Sequence, residues 1–367
     1  MNKKGAMLYL DEDPIPKSDF MLPSDLERRQ IFYWLQKVSS VTAWRRIFMY
    51  YKAWITVAEN SLLEAERRGW GDKTSLPRST YLRISKGLAY FEKGVAQLEK
   101  GNTAPFESYS DLRTAMDLLF MYATDVRRVD EGENGIDEEH TPLWQEYCEA
   151  MRSAMTAWHE CAYHMVAPRY HGGGLRFYHR WLKKELQHTP FPGQLDPVPE
   201  PAAPIFVRAN GRASCAGIWE PVAAPASSFL SRFTGSWKPQ PPLEIVGAMA
   251  YFTPYSTAPR ISIGDDTGST KLNMAWRLLW RDDRYTGGGV PEVEAQYRFL
   301  EPDGSRPKSS GPPSIDDTVW AESGAAAQLA GKWTIESDTY SVMRQKGQRL
   351  PFVQGRSHRW ILTRPPN

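Results

Sequence analysis

The fold is decided at residues 189–204, which read TPFPGQLDPVPEPAAP and contain six prolines. Proline fixes φ and removes a backbone donor, so this stretch is predicted to be a stiff, extended hinge. Seven prolines and eleven glycines precede it, whereas twenty-one prolines and sixteen glycines follow from Pro190 onward. We therefore predict a helical domain at 1–188, the Pro-rich hinge at 189–204 and a β-rich domain at 205–367.

The composition is that of a folded protein with more than one core. The chain has 367 residues, of which 41% are hydrophobic and 12% aromatic, and its formal net charge is +2. A chain of this length generally divides into two or more domains. Both halves are nearly neutral, with 26 basic and 26 acidic residues before residue 190 and 19 against 17 after it. Binding of nucleic acid through phosphate neutralisation is therefore not expected.

The cellular location is predicted from targeting signals and cysteine use. The three cysteines form no CxxC pair, and such sparse use suits a reducing compartment. The apolar run at residues 6–10 is too short for the hydrophobic region of a secretory signal. The most apolar helical segment, 41–58, contains Arg45, Arg46 and Lys52, which a bilayer core does not readily accept. We expect a cytoplasmic protein without a membrane span.

Six amphipathic helices with short connections are predicted before the hinge. Ser24 and Glu27 have the spacing of a capping box, in which the serine accepts from the third helical N–H and the glutamate reaches back. Residues 44–62 then repeat apolar side chains at intervals of three and four, which indicates one buried helix face. Thr141 is the predicted N-cap of the fifth helix. Burial of all these faces favours an antiparallel bundle.

An acidic segment connects the fourth and fifth predicted helices. Residues 130–139 contain six carboxylates and no basic residue. Such a run is usually a solvated loop, although it also suits a finger that binds the basic surface of a partner. The candidate partner-binding residues in this segment are Asp130, Glu131, Glu133, Asp137, Glu138 and Glu139.

The hydrophobic period changes from 3.6 to 2 after the hinge. Residues 271–281 place Trp276 and three other apolar side chains on one face and Arg277 on the other. Residues 293–300 repeat this alternation, and the turn at 282–289 joins the two runs. These patterns predict antiparallel strands. The fold class is therefore α+β, an N-terminal antiparallel helical bundle followed by a Trp-rich, mainly antiparallel β domain.

A weak Gly-x-Trp repeat runs through the C-terminal half. GIWEP at 217–221 recurs as GSWKP at 235–239, and GKW at 331–333 is a truncated copy. The repeat suits a structural tryptophan buried at a sheet edge. It also suits an aromatic anchor of a protein interface. The candidate partner-binding residues of this half are Trp219, if it is exposed, Glu220, Asp282, Asp283, Arg284 and Tyr285.

Catalytic and metal-binding patterns are not found in the sequence. His159 and His164 are five residues apart, whereas two zinc ligands on one helix face need a spacing of four. His171 and His179 could join His164 near a glycine turn, although histidines near helix ends are more often capping or surface groups. The sequence has no phosphate-binding loop, nucleophile elbow or dinucleotide fingerprint. We expect a protein that is not an enzyme and uses neither a cofactor nor a metal.

Two strings carry a family resemblance. CAGIWEPV at 215–222 and WRLLWRDDRY at 276–285 resemble the C-terminal part of immunity proteins from bacterial polymorphic-toxin and type VI secretion loci, in particular the types numbered 71 and 72. In these families a helical region precedes a tryptophan-rich part. The chain departs from the pattern at Ala216, where the families have proline.

The resemblance implies inhibition by binding. A protein of this class binds a cognate toxin in a stoichiometric complex and has no catalytic residues of its own. Two other functions stay compatible with the sequence. An adaptor or chaperone would load an effector onto a secretion machine, and a hydrolase would reverse the modification that a toxin makes.

Overall fold

The structure of this chain is a computed structural model. It covers residues 15–16, 21–107, 110–165, 180–225, 237–265, 268–301, 320–323, 325–327, 331–335, 341–351 and 359–364. Two compact units are present, Met1–Gly304 and Ser305–Asn367. Within the described ranges, the first unit holds six α-helices and two small sheets, and the second holds one four-stranded sheet. The predicted α+β class is confirmed.

The helices of the first unit pack side by side. Their bounds are α1 Asp25–Val38, α2 Val41–Arg67, α3 Arg78–Leu98, α4 Asp111–Asp130, α5 Trp144–Met165 and α6 Arg180–His188. A 3-10 helix, Ala104–Phe106, precedes α4. α2 contacts α3 and α5, and α4 contacts the same two helices. Each apolar stripe is thereby covered by neighbouring helices, as the periodicity predicts.

The capping box predicted for α1 is present. The Ser24 hydroxyl accepts from the Glu27 N–H at 3.3 Å, and the Glu27 carboxylate accepts from the Ser24 N–H at 2.9 Å. These two bonds satisfy backbone donors that the first helical turn leaves without partners. The serine therefore fixes where α1 begins.

Replacing Ser24 with alanine is expected to lower the free energy of unfolding by about 1 kcal/mol, because the Glu27 N–H loses its acceptor. Urea unfolding of the full chain measures this change. Ser153→Ala is the control, because Ser153 lies inside α5 and its hydroxyl donates to the Glu149 carbonyl. That variant should change stability by less than about 0.5 kcal/mol. Equal effects of the two substitutions would contradict the capping role.

The start of α5 differs from the prediction. Thr141 is not its N-cap, since α5 begins at Trp144 and Leu143 has a φ of 59°. The Thr141 hydroxyl instead accepts from the Ser75 N–H at 2.9 Å. The carbonyl of Pro142 accepts from the Ser61 hydroxyl. Hydrogen bonds to α2 and to the α2–α3 connection therefore fix this turn, and local capping does not.

The strands of the first unit form two sheets. Their bounds are β1 Ile15–Pro16, β2 Phe206–Arg208, β3 Gly217–Ala223, β4 Ala250–Phe252, β5 Ser262–Asp265, β6 Gly268–Lys271 and β7 Met274–Arg281. One sheet has the order β2-β7-β3-β4 and is antiparallel throughout. The other has the order β1-β5-β6, in which β1 pairs with β5 in parallel.

The central strand β7 buries both of its faces. Trp276 and Leu278 pack in one cluster with Trp219 of β3. Trp280 turns to the helices instead, where its ring lies 6.5 Å from that of Phe32 in an edge-on contact. The register of β3 against β7 shifts between Ile218 and Trp219, which explains the change of side. The predicted alternation therefore holds only as far as Leu278.

Residues 293–300 do not form the predicted strand. A 3-10 helix occupies Glu292–Gln296, with Val293 51% exposed and Glu294 buried, the reverse of the predicted pattern. The Glu294 carboxylate accepts from the Tyr285 hydroxyl and from the Thr42 N–H. A buried carboxylate is tolerated where such donors replace water.

One hydrophobic core joins the helices to the β2-β7-β3-β4 sheet, which we call the first sheet. Fully buried tryptophans at its centre include Trp44, Trp54 and Trp158, and Ile218 and Leu279 reach it from the strands. The segment 189–204 has no helix or strand and lies against this core. A hinge role for this segment, and domains bounded by it, stay predictions.

The second unit has its own apolar cluster. Its antiparallel strands are β8 Trp320–Glu322, β9 Gly331–Ile335, β10 Ser341–Arg344 and β11 Arg359–Arg364, in the order β10-β9-β11-β8. Trp333 and Trp360 are fully buried in it. Trp333 belongs to the third Gly-x-Trp copy, so this copy provides a core side chain. Gly235 of the second copy lies outside the described residues.

Candidate partner-binding surface

Most candidate residues of the C-terminal half lie inside the protein. Trp219 is fully buried, so the exposure that its partner-binding role requires is absent. Glu220 is 1% exposed, and Tyr285 is also buried. The side chains of Asp282 and Arg284 are 4% and 9% exposed. Asp283 is the exception, with 61% of its side chain exposed.

Glu220 is the centre of a buried ion-pair network between α1 and the first sheet. It accepts from Arg28 Nε at 2.9 Å and from Arg277 Nη2 at 2.6 Å. Arg277 also donates to the exposed Glu200 at 2.7 Å. These bonds connect α1, β3, β7 and the Pro-rich segment. The buried part of this network therefore faces other elements of the protein and presents little surface to a partner.

The turn after β7 is fixed to the α1–α2 junction. Arg284 donates to Asp282 at 2.7 Å, to the Gln36 carbonyl and to the Ser39 hydroxyl, both at 2.8 Å. Burial alone would lower the pKa of Arg284, but the hydrogen bonds and charge of Asp282 outweigh burial and raise that pKa. For Tyr285, whose hydroxyl donates to Glu294, burial itself raises the pKa. Because both pKa values are raised, Arg284 stays charged and Tyr285 stays protonated at neutral pH.

A second buried ion pair was not predicted from the sequence. The Lys37 side chain is fully buried and donates to Glu160 at 2.9 Å and to the Arg298 carbonyl at 3.0 Å. Glu160 also accepts from the Leu300 N–H at 3.0 Å. A lysine within an amphipathic helix gives no local sign of such burial, because its partners lie 123 and 261 residues away.

The acidic loop, residues 130–139, is exposed and forms local ion pairs. Its six candidate carboxylates all lie on the surface. Four of them have close basic partners in α4, in α5 or directly after the loop. The pairs are Asp130 with Arg152 at 2.8 Å, Glu131 with Arg127 at 3.3 Å, Glu133 with Arg128 at 3.8 Å and Asp137 with His140 at 2.8 Å.

A groove of about 390 Å³ lies between α4 and α5 beside this loop. Its lining residues come from both helices and are Ala123, Val126, Arg127, Asp130, Met151, Arg152, Met155, Thr156 and His159. Val126 and Met151 are buried, whereas Arg127, Asp130 and Arg152 are exposed. The groove thus has an apolar floor and a charged rim. We call it the α4–α5 groove.

His159 is the histidine among the residues that line the α4–α5 groove. Its ring lies 5.8 Å from that of Phe120, and desolvation lowers its pKa although part of the side chain is exposed. The imidazole is therefore neutral at neutral pH and adds no positive charge to the groove.

The described residues provide neither a metal site nor a membrane-spanning helix. Within the described residues, no three His, Cys, Asp or Glu side chains are arranged to hold a metal ion. None of the described helices has both the length and the apolar character that a bilayer span requires. The side chain of His164, the residues His171 and His179, and the N-terminal run 6–10 lie outside the described part of the chain.

Residues 22–173 match the family model of Immunity protein 71. The matched range contains α1 to α5, the acidic loop and the α4–α5 groove. The resemblance to immunity proteins is therefore confirmed over this range, although the strings at 215–222 and 276–285 lie beyond it. No curated protein and no solved structure matches this chain.

Proposed function

We propose that this protein, whose residues 22–173 match Immunity protein 71, neutralises a cognate antibacterial toxin by binding it. The family match is the observation that carries the proposal. The toxin would be a polymorphic toxin or a type VI secretion effector, and the complex would form in the cytoplasm of the producing cell. Inhibition would be stoichiometric and would involve no catalysis by the immunity protein.

The proposed complex must be tight, because a small amount of free toxin is enough to kill the cell. A nanomolar dissociation constant corresponds to about 12 kcal/mol of binding free energy. A specific interface of this kind usually buries about 1,200–2,000 Å² in total. Its energy is concentrated in a few side chains at the centre of the contact.

Expression of the toxin encoded beside this gene, with and without this protein, tests the proposal. We expect growth to be restored and the two proteins to co-purify in a fixed ratio. Protection should end when toxin exceeds immunity protein, because each inhibitor molecule binds one toxin molecule. Co-purification without rescue would favour an adaptor. If an amount of this protein much smaller than the amount of toxin gave protection, a hydrolase would be favoured.

A further inference from the structure

Residues 298–301, with the sequence RFLE, lie against the helices but belong to no helix or strand. They follow the 3-10 helix Glu292–Gln296 and are the last residues of the first unit that the structure describes. We call them the strap. Phe299 and Leu300 are half-buried, whereas the two ends of the strap are exposed. Within the described part of the chain, no backbone–backbone hydrogen bond involves the strap, so side chains must hold it.

Three charged side chains of the helices bind the backbone of the strap. Lys37 of α1 donates to the Arg298 carbonyl at 3.0 Å. Glu160 of α5 accepts from the Leu300 N–H at 3.0 Å. Arg46 of α2 donates to the Leu300 carbonyl. Each of the three peptide groups within the strap is therefore bound by a side chain from a different helix.

The aromatic ring of the strap covers the same charged groups. The centroid of the Phe299 ring lies 5.2 Å from Lys37 Nζ and 4.9 Å from Arg46 Cζ. Both distances allow a cation–π attraction, because the face of the ring is its negative side. The ring also packs against the main hydrophobic core. Phe299 is therefore the side chain that fixes the strap.

The binding site has two cations and one carboxylate of its own. Glu160 lies 2.9 Å from Lys37 Nζ and 3.2 Å from Arg46 Nη1, and the Glu160 and Lys37 side chains are buried. A buried cation needs acceptors, because its removal from water is costly. The strap supplies two carbonyl oxygens and the face of an aromatic ring. It therefore completes the site for the second cation.

The strap has the features of a segment that opens locally. Its electrostatic contacts are offset by the cost of removing three charged groups from water, and these two contributions are similar in size for buried ion pairs. Arg46 Nη1 forms no hydrogen bond with a described residue, although Glu160 is close to it. Segments with few buried apolar contacts and no place in a helix or sheet open at a lower free energy than the whole fold.

We propose that the strap is a reversible latch, which closes over Lys37, Arg46 and Glu160 and opens while the helices stay folded. Closing hides the three charged groups and fixes the point at which the described chain leaves the helices. Opening exposes the charged groups to water and releases that point. The 3-10 helix before the strap stays in place, because Glu294 is buried and hydrogen-bonded. This inference is independent of the proposed function.

Native-state hydrogen exchange of the full chain tests the latch. The Leu300 N–H donates to Glu160, so it exchanges when the latch opens. The amide of Ile47, which is fully buried in α2, exchanges when the helices unfold. After correction for intrinsic rates, we expect the Leu300 amide to exchange at least about 100-fold faster than that of Ile47. Its rate should also depend much less on urea, because local opening exposes little surface.

A matched pair of variants separates the latch from the fold. Phe299 and Phe120 of α4 are both half-buried and both pack against the main core. Phe299→Ala removes the ring from both cations, so exchange at Leu300 should accelerate at least about tenfold. Phe120→Ala weakens the helical bundle and leaves every contact of the strap intact. It should accelerate exchange at Ile47 at least about fivefold and leave the rate at Leu300 within about twofold of the wild type.

Three outcomes would overturn the latch. Equal rates and equal urea dependence at Leu300 and Ile47 would show that the strap opens only when the helices unfold. Equal acceleration of both amides by Phe120→Ala would show the same. Exchange at Leu300 at the rate of an unstructured peptide would show that the strap is not closed in solution. None of these results depends on toxin binding, which the rescue of growth tests separately.

Discussion

Replacing Glu220 with glutamine is expected to lower the free energy of unfolding by about 3–5 kcal/mol, the usual cost of removing one partner from a buried ion pair. Glu220 is 1% exposed and accepts from both Arg28 and Arg277. A glutamine amide presents N–H donors to guanidinium groups that are themselves donors. Two largely buried guanidinium groups would then lose their buried counter-ion and keep only exposed carboxylates such as that of Glu200.

Glu200→Gln is the matched control for this prediction. Glu200 also contacts Arg277, at 2.7 Å, but its side chain is 61% exposed. An ion pair with an exposed carboxylate of this kind contributes about 0–1 kcal/mol to the free energy of unfolding. Urea unfolding midpoints of the two variants and the wild type give the comparison. Equal losses of stability for Glu220→Gln and Glu200→Gln would contradict the view that burial makes the ion pairs of Glu220 more important for stability than that of Glu200.

Replacing Gly217 with alanine is expected to destabilise the first unit by about 3 kcal/mol, through overpacking and backbone strain. Gly217 begins β3 with a φ of 154°, in a region that side chains rarely allow. A Cβ atom there would lie 2.2 Å from the carbonyl oxygen of Trp280 and 3.2 Å from the Arg281 Cα. Both contacts involve backbone of β7, which cannot move without opening the sheet.

Gly193→Ala is the control, because a Cβ atom at Gly193 would meet nothing within 4 Å. Both substitutions restrict the unfolded chain equally, so the difference between them reports the clash in the folded state. We expect the Gly193 variant to be as stable as the wild type or slightly more stable. Similar melting temperatures for the two variants would show that β3 relaxes around the added methyl group.

The fold could be predicted from the sequence where the determining contacts are local. The box at Ser24 and Glu27 and the apolar stripes of α2 and α4 depend on residues three or four positions apart, and the structure confirms them. The start of α5 could not be predicted, because Thr141 bonds to Ser75. Distant partners also explain why the alternation at 293–300 gives no strand.

The candidate site could also be predicted only where local sequence decides the outcome. A run of carboxylates at 130–139 predicts exposure, because unpaired charge cannot be buried. Burial of Glu220 and Arg284 could not be predicted, since their partners Arg28 and Ser39 are 192 and 245 residues away. The groove itself also escapes prediction. Met155 belongs to the apolar stripe of α5, so its position in the sequence predicts a buried side chain. The packing of α4 against α5 instead leaves it half-buried in the wall of the groove.

The buried tryptophans have a spectroscopic consequence. Trp44, Trp54 and Trp158 lie in the core of the first unit, whereas Trp333 and Trp360 lie in that of the second. An indole without water contact emits at shorter wavelength than a hydrated one, so each unit contains its own intrinsic fluorophores. Phenylalanine at positions 320, 333 and 360 would leave the tryptophan emission to the first unit alone. The unfolding of the first unit could then be followed separately, without an attached dye.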